Sequence, residues 1–168
     1  MTEQRYLPPA ELEAELRKIR DQQRELREAI RAGEEVLVRL DGVIKLLDSA
    51  SKWGWWDVLG GGFFVTMAKY NRLDKAKVQA LKAQEACHVF ARELRDVKFN
   101  LKLNIDFDGF LRFADYFFDG LFSDIATQSR ISSMRNDVRR QRSEVEGIIG
   151  MLRWRLAQAE AEAQKLSP

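Results

Sequence analysis

The sequence predicts an all-α protein: a long antiparallel helical-hairpin, or coiled-coil, stalk that carries a compact aromatic-rich helical head. Apolar residues in the first third and the last quarter of the chain recur at alternating steps of three and four. This spacing keeps one seam of a helix against a partner helix. All ten phenylalanines and three of the four tryptophans lie between these two arms, at residues 53–122. We therefore expect one elongated domain over residues 1–168.

The first stalk helix is predicted over residues 9–51. Pro8 and Pro9 suit its start, because the N–H that proline lacks has no partner there in any case. Gln23 and Gly33 interrupt the seam and indicate register control or close helix approach. Apolar residues also join one flank, so that a third helix can cover it: Ala29, Val36, Val43 and Ala50. The seam itself is Leu12, Leu16, Ile19, Gln23, Leu26, Ile30, Gly33, Leu37, Leu40, Ile44 and Leu47.

The second stalk helix is predicted over residues 123–166. Its seam is Ile131, Met134, Val138, Gln141, Val145, Ile148, Leu152, Leu156, Ala159, Ala163 and Leu166, with two consecutive steps of four after Ile148. The two arms are almost equal in length, which favours an intramolecular hairpin. Pairing of each arm with the arm of another copy remains an alternative, so homodimerisation stays open.

The head is predicted over residues 52–122 and begins with a turn or broken helix around Trp53 and the glycines at 60–62. A helix then follows, with a seam of small residues at one end that lets the widened flank of the first arm approach closely. An extended link at 101–107 and a helix at 110–122 complete the head. The seam is Leu73, Ala76, Ala80, Ala83, Cys87, Phe90, Leu94, Val97 and Leu101.

Two strings in the head carry a resemblance. One reads Trp-Asp-x-x-Gly-Gly-Gly-x-x-x-x-Met-Ala-Lys from Trp56 to Lys69, and the other reads Phe-Ala-Asp-Tyr-Phe-Phe-Asp-Gly-Leu from Phe113 to Leu121. With the helix between them they resemble a group of uncharacterised bacterial helical proteins, over residues 53–131. The resemblance implies a shared head, and no established activity comes with it.

Composition narrows the classes of function. Lys and Arg number 28 against 26 Asp and Glu, so the whole surface is too balanced to act as a polyanion-binding field. One cysteine excludes an internal disulfide, and no basic-then-apolar leader opens the chain, so we expect a cytoplasmic protein. No apolar run approaches the roughly 18 residues of a spanning helix. No cofactor is predicted, and no motif gives positive support for an enzyme.

A metal-dependent enzyme is one alternative. Glu85 and His88 form the Glu-x-x-His spacing by which helical bundles hold a di-metal centre, and Asp115 and Asp119 offer further oxygen ligands. Such a centre needs a second histidine, and His88 is the only one in the chain. We therefore prefer a reading in which these side chains bind no metal.

A nucleic-acid-binding protein is the main alternative. Arg135, Arg139 and Arg142 fall on adjacent turns of one helix face and form a basic stripe that phosphates could contact. Against this, the first arm offers Glu34, Glu35 and Asp41 at the right height for ion pairs between the helices. We expect the arginines to be paired or simply solvated.

The aromatic residues of the head are the remaining candidates, and we expect most of them to pack its core. Any that stay exposed would form a protein-binding patch: Trp53, Trp55, Trp56 and Phe118. Membrane-surface binding is disfavoured, because the helix at 110–122 carries mainly aspartates beside its apolar face. The function we expect is a non-enzymatic scaffold or adaptor that contacts another protein or a second copy of itself.

Overall fold

The structure is a computed structural model, and it describes residues 8–52, 63–101, 109, 110, 112, 114, 115 and 128–166. These residues form three long helices, α1 (Pro9–Lys52), α2 (Phe63–Leu101) and α3 (Gln128–Leu166), with a few helical residues between α2 and α3. No strand occurs in the described ranges. The predicted all-α fold is confirmed. The link at 102–107 and residues 123–127, predicted to open the second stalk helix, lie outside the described residues.

Helix α1 begins at the two prolines, as predicted. The carbonyl oxygen of Pro8 accepts hydrogen bonds from the backbone N–H groups of Glu11 and Leu12, both at 3.0 Å. The side chain of Glu11 lies in this first turn, where the positive end of the helix dipole favours an acidic group. Helix α3 shows the complementary arrangement, with Lys165 in its last turn.

Helices α1 and α3 pair side by side in opposite directions. Near the start of α1 the side-chain amide of Gln23 donates to the carbonyl oxygen of Ala159 at 3.1 Å. Near the other end, Asp48 lies 3.2 Å from the guanidinium of Arg135. Partner numbers thus fall along α3 as they rise along α1, which is the order of an antiparallel pair. This buried hydrogen bond from the Gln23 side chain fixes the register of the two helices.

Helix α2 packs on the widened flank of α1, as the small residues of its seam predict. Burial on α1 is complete or nearly so at Ala29, Val36 and Val43, and on α2 it is complete at Ala80 and Ala83. Small side chains on both helices let the backbones approach closely. The described part of the predicted head therefore lies along the stalk, because α1 and α2 are complementary over many turns.

At Gly33 both α2 and α3 pack closely against α1. A Cβ atom added to Gly33 would lie 2.9 Å from the ring of Phe90 on α2 and 2.9 Å from Cγ1 of Ile149 on α3. The prediction that Gly33 serves close helix approach agrees with this geometry. Phe90 is fully buried and meets Phe110 of the short helical stretch edge to face, with ring centroids 5.8 Å apart. This stretch therefore covers α2 at the same level.

Candidate functional site

The predicted protein-binding aromatics do not belong to the part of the chain that the structure describes. They are Trp53, Trp55, Trp56 and Phe118, and the metal candidate Asp119 also lies outside it. The second resemblance string falls mostly on undescribed residues, whereas the first extends into α2 from Phe63 to Lys69. The candidate surfaces within the described residues therefore lie on the three long helices.

Two of the metal candidates meet. His88 Nε2 lies 3.3 Å from Oδ1 of Asp115, and both side chains are well exposed. Glu85, one turn before His88, instead lines a groove against α1. Within the described residues, no group of three or more His, Cys, Asp and Glu side chains is arranged to hold a metal ion. The contact between His88 and Asp115 instead ties the short helical stretch to α2.

The arginine stripe faces carboxylates of α1. The guanidinium of Arg142 binds Asp41 at 2.6 Å and, one turn along α3, Glu146 at 2.6 Å. Asp48 lies between the other two arginines, 3.2 Å from Arg135 and 3.7 Å from Arg139. The hydrogen bonds to Asp41 and Glu146 raise the pKa of Arg142 above its ordinary value. Each arginine of the stripe therefore has a carboxylate partner within the molecule.

Cys87 has the environment of an inert thiol. Its side chain is fully buried in the seam between α1 and α2, and burial raises the pKa of the thiol to about 12. Because the thiolate is the nucleophile, a thiol with this pKa is unreactive at neutral pH. The seam position of Cys87 in the sequence agrees with this environment.

An open groove runs between α1 and α2. It has a volume of about 310 Å³ and an apolar floor, and charged groups of both signs line its edges. On the α1 edge, Arg39 forms a salt bridge with Glu35 at 2.5 Å. The lining residues are Ala32, Glu35, Arg39, Lys82, Glu85, Ala86 and Val89. Val38 and Val78, each within four residues of a lining residue, are among the large apolar side chains that remain exposed.

The outward side of α3 carries a surface that sequence reasoning missed. Trp154 is 55% exposed there, and a Cβ atom added at Gly147 or Gly150 would meet nothing within 4 Å. We call this surface the outer face: exposed, uncharged residues at helical spacing, namely Ser143, Gly147, Gly150, Trp154, Ala157 and Ala161. The comparable line on α1 is charged over four steps, at Arg24, Glu28, Arg31 and Glu35, before it reaches the exposed Val38. The uncharged line was visible in the sequence as a second three-and-four spacing beside the seam.

Comparison with protein families, curated proteins and solved structures finds no match for this chain. Among the described residues, no helix is both long enough and apolar enough to cross a membrane. The functional argument therefore depends on the surfaces of the molecule itself.

Proposed function

We propose that this protein is a non-enzymatic scaffold or adaptor that acts by binding other protein chains along its helical rod. The outer face of α3 is the observation that carries the proposal. A helix that only needs solvation places charged residues opposite its core, as α1 does, whereas α3 places glycines, alanines and a tryptophan there. Tryptophan supplies a large contact area at low entropic cost and is enriched in the binding centres of interfaces.

The pairing of the arginine stripe supports this proposal over nucleic-acid binding. Arginines that bind phosphate must exchange their present partners for the ligand, and Arg142 holds two carboxylates at 2.6 Å. That exchange reduces the gain from counterion release that drives binding to nucleic acid. The stripe remains the site to test for the alternative function.

The other parts of the proposal follow from the chain as a whole. The single cysteine is buried with a raised pKa, which suits a reducing compartment, and we place the scaffold in the cytoplasm. The resemblance of residues 53–131 to uncharacterised bacterial helical proteins fits a bacterial protein with a shared head. The aromatic head is proposed as a second contact surface, through Trp53, Trp55, Trp56 and Phe118.

Site-specific photo-crosslinking in cells tests the proposal. A photoreactive amino acid is placed at Trp154, at Val38 or at Val78, and at Glu28 as an exposed polar control. We expect a discrete crosslinked product from at least one apolar position and none from Glu28, and the partner identified in it should bind again after purification. If no apolar position exceeds the control, the scaffold proposal is wrong, and stoichiometric metal or tight DNA binding by the purified chain would then favour one of the alternatives.

A further inference from the structure

We infer that the outer face of α3 binds the same face of a second copy, as an antiparallel pair related by a twofold axis. This inference rests on the proposed function and names its partner. The face from Ser143 to Ala161 is roughly 27 Å long at about 1.5 Å per residue. Because it lies on the side of α3 away from the core, a second helix reaches it without disturbing the monomer.

The two glycines indicate that a backbone comes close to this face. Glycine inside a helix costs roughly 1 kcal/mol relative to alanine, and no described residue comes within 4 Å of a Cβ atom added at Gly147 or Gly150. The same molecule shows what such a residue allows, since at Gly33 two neighbouring helices come within 2.9 Å of the missing Cβ. In the proposed pair the four glycines of two copies lie at the centre, and each Trp154 covers the Ser143 end of the other helix.

Charges on one flank of the outer face are self-complementary in an antiparallel pair, which favours a second copy as the partner. In an antiparallel pair, each flank of α3 faces the same flank of its partner. With the twofold axis between Ile149 and Gly150, Glu146 of each copy faces Arg153 of the other. By the same symmetry, Arg139 faces Glu160. Opposite charges therefore meet at these four positions of the flank.

The other flank is mixed, because the axis sets Asp137 of each copy opposite Glu162 of the other, a like-charge contact, beside one pair of opposite charge. There the same axis places Glu144 of each copy opposite Arg155 of the other. Sliding one helix by a heptad instead brings Glu146 against a glutamate and Arg153 against an arginine. Like-charge contacts oppose this shifted pair, so the charges of the first flank favour the register with the axis between Ile149 and Gly150.

The flanking charges keep the capacity to make these contacts. Arg153, Glu146, Glu160 and Arg139 already pair with residues of the same chain, yet each side chain remains at least 46% exposed. A guanidinium has five N–H donors and a carboxylate accepts several hydrogen bonds, so one group can serve two partners. A single helix face of this length is a small interface, which suits a transient dimer.

Sedimentation equilibrium of the full chain tests the inference. We expect a reversible monomer–dimer equilibrium that Trp154→Glu and Gly150→Gln shift toward monomer by roughly tenfold or more in Kd. Gly42→Gln is the matched control, because the nearest atom to its added Cβ is the Oε1 of Gln79 at 3.7 Å and the site lies on α1. This control should leave the Kd unchanged, and circular dichroism should show all variants folded.

A charge exchange tests the register itself. Arg153→Glu and Glu146→Arg should each weaken self-association, whereas a mixture of the two variants should form a heterodimer as stable as the wild-type dimer, because opposite charges then meet again. If a wild-type dimer forms that is insensitive to Trp154→Glu and Gly150→Gln, the inferred face is wrong. If the wild type is monomeric but crosslinks to a different protein, the self-association fails while the scaffold proposal survives. Without a dimer or any crosslinked partner, both fail.

Discussion

The inner junction around Gly33 and the outer face around Gly150 have the same components, a glycine inside a helix and a nearby aromatic ring. At the inner junction the ring is Phe90, fully buried, and the missing Cβ makes room for two neighbouring helices. On the outer face the ring is Trp154, 55% exposed, and the space above the glycine is open. Packing among the described residues explains the first set, whereas for the second it supplies only the guanidinium of Arg155, 5.0 Å from the centre of the Trp154 ring. Residues that cost stability without an internal reason are where an external contact is to be sought.

The largest expected difference between the two regions concerns their rings. Phe90→Ala removes a fully buried ring and should lower the free energy of unfolding by roughly 3–5 kcal/mol. Trp154→Ala should change the free energy of unfolding of the dilute monomer by less than about 0.5 kcal/mol. Urea unfolding followed by circular dichroism at low protein concentration measures both values. A large loss for Trp154→Ala would show that the outer face belongs to the packing of the monomer.

The burial of Cys87 between the helices predicts that the stability of the protein depends on pH. The folded thiol of Cys87 has a pKa of about 12, raised by burial, whereas in the unfolded chain the pKa is about 8.5. Below the pKa of the unfolded chain, the buried thiol contributes fully to the free energy of unfolding. Above it the unfolded state releases the proton and the folded state keeps it, so stability falls by about 1.4 kcal/mol per pH unit until the folded pKa is reached.

Cys87→Ala isolates this effect from the other groups that titrate in alkali. Between about pH 8.5 and pH 10 the wild type should lose roughly 2 kcal/mol more unfolding free energy than Cys87→Ala does. Urea unfolding at a series of pH values gives the two curves. Parallel curves would mean that water reaches the thiol, and hence that the seam between α1 and α2 is looser than its burial implies.

The two glycine positions should respond to the same substitution with opposite signs. Gly33→Ala overpacks the junction at a cost of about 1–3 kcal/mol, which exceeds the gain in helix propensity of about 1 kcal/mol. Gly150→Ala meets no neighbour and should stabilise the monomer by about 0.5–1 kcal/mol. Thermal unfolding of dilute samples checks the signs. If both variants were stabilised, Phe90 and Ile149 would have room to move and the inner junction would not require glycine.

Most of the fold, though not every burial, could be predicted from residue spacing. The α1 seam, its widened flank and the small residues of α2 predicted which sides meet, because apolar periodicity directly reports the buried side of a helix. The sequence predicts Ile148 in the buried seam of α3. In the structure Ile149 is 3% exposed, while Ile148 is only partly buried. Both isoleucines fit a helical spacing. The choice between them depends on the space left by Gly33, which a single helix does not reveal.

The candidate surface was harder to predict than the fold. The sequence points to titratable residues and clustered aromatics, and the four candidate aromatics of the head, Trp53, Trp55, Trp56 and Phe118, lie outside the described residues. The outer face carries neither a charge nor a cluster, so its signal is an absence of charge where a solvated helix has it. That signal becomes meaningful only when the inward side of α3 is known, because the opposite side is then defined.

The smallest expected effects concern the ion pairs between the seam and the outer face. Asp41→Asn and Asp48→Asn remove the α1 carboxylates that hold the arginine stripe. Each change should lower the free energy of unfolding by less than about 1 kcal/mol, because the paired groups are partly exposed, and added salt should reduce the loss further. Chemical unfolding at low and high ionic strength measures both.

The same two substitutions distinguish scaffold from nucleic-acid binder. Asp41 and Asp48 form ion pairs with the arginine stripe. If these pairs keep the arginines from phosphates, the double variant should bind a DNA duplex more tightly than the wild type. Its affinity should also depend more steeply on salt, because up to three arginines become available to phosphates. Fluorescence anisotropy with labelled DNA over a salt series measures this. A wild type that binds as tightly as the double variant would show that the arginines exchange carboxylates for phosphates readily, and would favour the nucleic-acid alternative over the scaffold.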